Sequence, residues 1–129
     1  MRSRGLIQTI DTHTCGEPTR IVTGGVPPIP GATMAAKQAY VRHKADDIRR
    51  FLMREPRGHR DMFGAILTPA VSPEADFGVL FVDNEGSLTM CGHATIGVGT
   101  ALVEVGLVTP TEPVTTTRLG DVAALVALR

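Results

Sequence analysis

The sequence has little cysteine and no net charge. Cys15 and Cys91 are the only thiols, and thirteen Lys and Arg balance thirteen Asp and Glu with His neutral. Two isolated cysteines exclude a disulfide framework and a CxxC metal pair, and a reducing cytoplasm is the expected setting. Charge balance removes any electrostatic reason to seek nucleic acid or an anionic membrane surface, so neither is expected as a partner. No run approaches the ~20 apolar residues that span a bilayer; the longest apolar stretches, residues 94–103 and 122–128, are far shorter. A leader is not expected either. Arg2 and Arg4 stand near the start, but Asp11 and His13 follow too soon for a signal peptide's apolar stretch.

What is present fits one domain of mixed α and β structure. The 129 residues are 43% hydrophobic and 20% charged, enough for a core and too apolar for disorder. Glycine and proline account for 23 residues, about 18% against a usual ~12%, which predicts many turns and short elements. Residues 6–10 read as a strand interrupted by the polar stretch 11–16, and 19–23 as a second strand ended by Gly24 and Gly25. The prolines at 27, 28 and 30 stiffen a loop that cannot enter a sheet interior. Thr33 can cap a helix over 34–54, because Val41, Ala45, Ile48 and Leu52 recur at the helical period before Pro56. Residues 62–67 and 77–82 are short apolar runs of the kind that form buried strands, and 84–86 supply a turn. The segment from Gly92 to Gly106 carries Glu104 as its only charge beyond His93. As a helix it is apolar on nearly every face and must be surrounded by protein. Gly97, Gly99 and Ala101 would let strands approach it closely, so a curled sheet enclosing this helix is expected. Strand-like sequence returns at 114–117 and 122–128, with Gly120 and Asp121 as the turn.

Chemistry concentrates at Cys91. It sits at the predicted N-terminus of the apolar helix, where unpaired amides and the macrodipole favour an anion and lower a thiol's pKa. The amides of Gly92 and His93 can hold a carboxylate there, and a thiolate beside a carboxylate suits proton abstraction next to that group. The alternative is a small buried hydrophobe, the common fate of a free cysteine. His93 can orient the thiol or a substrate, or simply bond a carbonyl at the helix start. Asp11, His13, Cys15 and Glu17 alternate and would share one face of a strand. No second ligand group stands at an established spacing, so a self-bonded polar loop is preferred to a metal site, and no metal is expected. Arg57 or His59 is expected to pack against that polar loop. Two nucleotide look-alikes fail: Gly97-Val98-Gly99 is followed by Leu102 where a third glycine is needed, and Val98 stands where a phosphate-loop lysine belongs.

Four linked motifs carry a resemblance. Residues 10–17 (IDTHTCGE) and 19–22 (TRIV), then 55–64 (EPRGHRDMFG) and 90–97 (MCGHATIG), resemble the proline racemase family in order and spacing over about residues 6 to 116. The resemblance implies an α+β fold, a diaminopimelate-epimerase-like lobe with a curled, mostly antiparallel sheet around a central apolar helix. It implies cofactor-independent chemistry on proline or hydroxyproline as the small-molecule substrate, with a homo-oligomer expected. By motif, Cys91 matches the first catalytic cysteine, which takes or gives the α-proton. Gly92 and His93 match positions that hold the substrate carboxylate and neighbouring groups, and Phe63 an aromatic wall against the ring. The family's second catalytic cysteine belongs to its C-terminal half, which the 129 residues do not reach; Cys15 fills a variable position and is not its substitute. From residue 118 onward the sequence also drifts from the family pattern. The chain is therefore expected to be a single N-terminal lobe. Within the family the motifs around Phe63 and Phe77 look racemase-like and Ala94 dehydratase-like. The expectation is a racemase or epimerase, with a trans-3-hydroxy-L-proline dehydratase as the alternative. A further alternative is a truncated, inactive lobe that self-associates or pairs with another chain.

Overall fold

The computed structural model describes residues 5–129; Arg2 and Arg4, the basis of the leader reading, lie outside them. Strand β1 (Gln8–Thr14) pairs antiparallel with β2 (Glu17–Gly24). Cys15 and Gly16 turn the hairpin with φ of 51° and 91°, the two-residue geometry that matches strand twist. The polar stretch after Ile10 was expected to interrupt the strand; instead it is most of it. As an edge strand, β1 turns Ile10, Thr12 and Thr14 inward and Asp11 and His13 outward, and outward positions tolerate charge.

The sheet continues through β3 (Phe63–Thr68), parallel to β2, and β4 (Phe77–Asp83), antiparallel to β3. Strand β4 also pairs antiparallel with the short β5 (Ser87–Leu88) and parallel with β6 (Thr117–Gly120), and β6 pairs antiparallel with β7 (Leu125–Leu128). The sheet is thus mixed, in the order β1-β2-β3-β4-β6-β7 with β5 beside β4. Strand β6 starts at Thr117, later than the strand expected from 114. Pro110 and Pro113 offer no amide proton, and the Thr111 amide donates to the Thr115 hydroxyl in a local turn that leaves Val114 exposed.

Helices lie on both sheet faces, which is why β4 reads as an unbroken apolar run. On one face, α1 (Met34–Lys44) and α2 (Asp46–Met53) pack Val41, Leu52 and Met53 against Val22, Ile66, Leu80 and Val82. Thr33 caps α1 as expected, accepting from the Ala36 amide. The single expected helix is two, broken at Ala45 (φ −138°). Both halves keep the expected apolar face, and after the break Asp46 grips Arg49, whose guanidinium also donates to the Asp83 and Asn84 carbonyls.

On the other face, α3 (Gly92–Glu104) packs Ala94, Val98, Ala101 and Leu102 against Ile21, Ala65, Val79, Phe81 and Leu119. The glycines do what their size allows. A Cβ on Gly97 would stand 2.6 Å from the Thr12 hydroxyl of β1, and one on Gly99 2.4 Å from Leu128 of β7. Both edge strands therefore reach the same helix, and the sheet curls around it. Enclosure is incomplete, contrary to expectation: Gly92, Ile96, Thr100 and Glu104, four residues apart, remain exposed as one stripe. No helix among the described residues is long and apolar enough to cross a membrane.

Candidate active site

Cys91 takes the N-cap position of α3 with extended backbone (φ −145°), one turn after β5 delivers the chain to this face. Its carbonyl accepts from the Thr95 amide at 2.9 Å and the Thr95 hydroxyl at 2.7 Å, so the helix start is bound firmly to the residue bearing the thiol. The thiol is 8% exposed. The lowered pKa expected at a helix N-terminus is not what results. Burial pushes the Cys91 thiol up, and Asp83 and Glu17 add to this; the amides of Ala94 and His93 pull it down by less. Desolvation of the thiolate outweighs the helix end.

His93 stands next to the thiol. Its Nδ1 is 3.4 Å from Sγ and its Nε2 3.9 Å, within reach to accept the thiol proton or, as imidazolium, to hold a thiolate. Phe63, the first residue of β3, packs its ring edge-on against the imidazole at 4.6 Å between centroids and 85° between planes. Gly92 is exposed, with open space where a Cβ would be. The four residues singled out from the sequence, Cys91, Gly92, His93 and Phe63, therefore converge on the start of α3. Cys15 is exposed in the hairpin turn.

The residues preceding Phe63 are held by side chains that sequence reasoning did not single out. Arg20 of β2 forms a two-bond ion pair with Asp11, Nε to Oδ1 at 2.9 Å and Nη2 to Oδ2 at 2.8 Å. Its Nη1 donates to the Leu52 carbonyl at 2.9 Å and to the Arg57 carbonyl. The Asn84 amide donates to the Met53 and His59 carbonyls. Two carbonyls of the last turn of α2 and two of the loop are thereby captured, which explains why loop residues 55–61 keep one path into Phe63. Arg57 and His59, expected to pack against the polar stretch, line a cavity of about 240 Å³ together with Asp11, Thr12 and Arg20. Their side chains bond elsewhere, Arg57 donating to the Phe51 carbonyl and His59 accepting from the Asp61 amide. The Arg57 guanidinium stacks on Phe51, 3.6 Å from its centroid.

Thr14 was also missed, although its inward position in the alternation with Ile10 and Thr12 is a usable signal. Its hydroxyl donates to the His93 carbonyl at 2.9 Å across 79 residues of sequence. Among the described residues no three His, Cys, Asp or Glu side chains gather as a metal site. Asp11 is committed to Arg20, and His13 Nδ1 accepts from the Gly16 amide at 3.2 Å.

A family model described as proline racemase matches residues 9–129. The chain is 52% identical over 126 residues to a 4-hydroxyproline 2-epimerase of Streptosporangium roseum, covering 98% of this chain and 38% of the relative. It is 53% identical over 109 residues to a trans-3-hydroxy-L-proline dehydratase of Burkholderia cenocepacia, covering 84% and 32%. The crystal structure of a hydroxyproline epimerase from Agrobacterium vitis with bound trans-4-hydroxy-L-proline superposes with a TM-score of 0.92 at 33% identity, covering 98% of this chain and 38% of that one. The chain thus spans 32–38% of the length of these relatives.

Proposed function

The chain belongs to the proline racemase family, and on that premise we propose that it is one lobe of a cofactor-independent racemase or epimerase acting at Cα of proline or a hydroxyproline. The observation that carries the proposal is the Cys91 thiol at the head of α3 with the His93 imidazole 3.4 Å away. In this reading the Cys91 thiolate removes the Cα proton, forming S–H as the C–H bond breaks. The electron pair passes into the substrate carboxylate. Free amides of the first turn around Gly92 stabilise that developing charge, since a helix N-terminus favours anions. Phe63 faces the ring as an apolar wall while bracing His93. Reprotonation from the opposite face inverts Cα and needs a second acid, which the proposal assigns to a complementary lobe.

Burial that keeps the thiol protonated fits this division of labour. A resting thiol must be activated when substrate and the second lobe arrive, and His93 is placed to take its proton. We further read the fold as a diaminopimelate-epimerase-like lobe, on the support of a sheet whose two edges both touch α3. A cytoplasmic homo-oligomer is the assembly we assign to the whole enzyme.

Heavy water tests the reading. A protein joining this lobe to its complement should place deuterium at Cα of both enantiomers of proline or hydroxyproline, and Cys91→Ser should abolish it. Loss of water from trans-3-hydroxy-L-proline without Cα exchange would instead make it a dehydratase. The 129-residue chain alone should show negligible exchange; turnover by it that vanished with Cys91→Ser would overturn the lobe assignment.

A further inference from the structure

The start of α3 is fastened to the β1–β2 hairpin at two levels. At the first, the Thr14 hydroxyl donates to the His93 carbonyl at 2.9 Å. One helical turn on, Gly97 lies against the hydroxyl of Thr12, closely enough that a Cβ would be 2.6 Å from it. Thr12 and Thr14 are two apart on the inward face of β1, and His93 and Gly97 are four apart on one face of α3, so strand and helix match rung for rung. Gly97 permits the approach and Thr14 fixes its register. His93 is thereby held twice, through its carbonyl by Thr14 and through its ring by Phe63.

We infer that Thr14 is a positioning residue, whose hydroxyl, through the His93 carbonyl, sets where the His93 imidazole stands relative to the Cys91 thiol. The inference rests on the proposed role of Cys91 as the base. The Thr14 hydroxyl bonds the His93 carbonyl, so its influence runs through the backbone of residue 93. The other charged groups acting on the thiol are Asp83 at the end of β4 and Glu17 at the start of β2. Asp83 stands on another strand, but Glu17 is the cross-strand partner of Thr14. The Thr14 variants are therefore also compared in a Glu17→Gln background, and an effect that vanishes there would overturn the assignment to His93.

The test is the pH dependence of Cys91 alkylation by iodoacetamide in the 129-residue chain, with Cys15→Ser as background so that a single thiol reacts. Thr14→Val removes the hydroxyl and keeps the shape, Thr14→Ser keeps the hydroxyl, and Thr14→Ala covers the case in which valine does not fold. The expected result is a neutral-pH alkylation rate lower by roughly 3- to 10-fold in Thr14→Val and Thr14→Ala, the scale of one lost hydrogen bond. The alkylation midpoint should move to higher pH, and Thr14→Ser should retain the parent profile. Profiles of Val and Ala variants that overlay the parent would overturn the inference while leaving Cys91 as the base. A parent thiol that does not react at any pH from neutral to alkaline would overturn the base assignment itself, and the inference with it.

Discussion

Replacing Arg20 by methionine should cost far more stability than replacing its ion-pair partner Asp11 by alanine. The Arg20 side chain is 15% exposed and the Asp11 side chain 53%. Asp11→Ala removes an exposed carboxylate, leaves Arg20 with its two carbonyls, and should cost no more than about 1 kcal/mol. Arg20→Met keeps the alkyl stem but strips the donor from the Leu52 and Arg57 carbonyls. The Leu52 carbonyl lies in the last turn of α2, where helix carbonyls lack partners of their own, and is part-buried. A hydrogen bond from a charged donor contributes about 1.5–3 kcal/mol. The Arg57 carbonyl can turn to water and counts for less, so the expected cost is roughly 2–4 kcal/mol. Equilibrium urea unfolding of both variants, followed by circular dichroism, measures the difference. Hydrogen exchange should also show residues 54–62 opening in Arg20→Met before β4 does. An Asp11→Ala penalty equal to or above that of Arg20→Met would refute the reasoning, because the ion pair and not the carbonyl capture would then hold the loop.

Gly97→Ala brings two opposed effects. Alanine gains ~0.5–1 kcal/mol over glycine within a helix, but its Cβ meets the Thr12 hydroxyl at 2.6 Å, and overpacking costs typically ~1–3 kcal/mol. The variant should be net destabilised in thermal unfolding and restored by adding Thr12→Ala; no recovery in the double variant would place the conflict elsewhere. The two pH limits should separate by residue. Arg49 bonds the Asp46 carboxylate and holds its pKa down, so its contribution is present above the ordinary carboxylate range and is lost on acidification; Asp46→Asn should flatten the acid limb of a stability–pH curve. Burial raises the Cys91 pKa, so the fold is favoured below the ordinary thiol range and loses that contribution as pH rises; Cys91→Ala should flatten the alkaline limb.

How much of this could be read from the sequence depended on whether a feature is local. The apolar runs of β3 and β4 and the Thr33 cap are local patterns that form the expected elements, and the period of Val41, Ala45, Ile48 and Leu52 gives the expected buried face, though on two helices rather than one. Strand β1 was misread because its polar residues looked like a turn, while only the hairpin partner and the edge position make Asp11 and His13 acceptable in a strand. The break at Ala45 has no proline or glycine to announce it; the Asp46–Arg49 clamp beyond it ends on carbonyls more than thirty residues away.

The site divides the same way, and Cys91 shows why the division matters. A cysteine at a helix N-terminus is a local feature, and the local rule says that its pKa falls. The tertiary structure sets two carboxylates and a desolvated pocket against two amides, and the direction reverses. Beside the thiol stands His93, two residues from Cys91, its carbonyl bonded by Thr14, seventy-nine residues away, and its ring packed on Phe63 of another strand. A motif can nominate the thiol; what surrounds its neighbour His93 is set by contacts from β1 and β3. The family motifs therefore make physical sense as one unit. The first supplies the Thr14 tether and Asp11, the second Arg20, the third the loop that delivers Phe63, and the fourth the thiol and imidazole that the others hold in place. On the proposed function, a chain that kept Cys91 and His93 but lost Thr14 or Arg20 is expected to keep the proposed base and its neighbour without the contacts that hold His93 and the loop into Phe63.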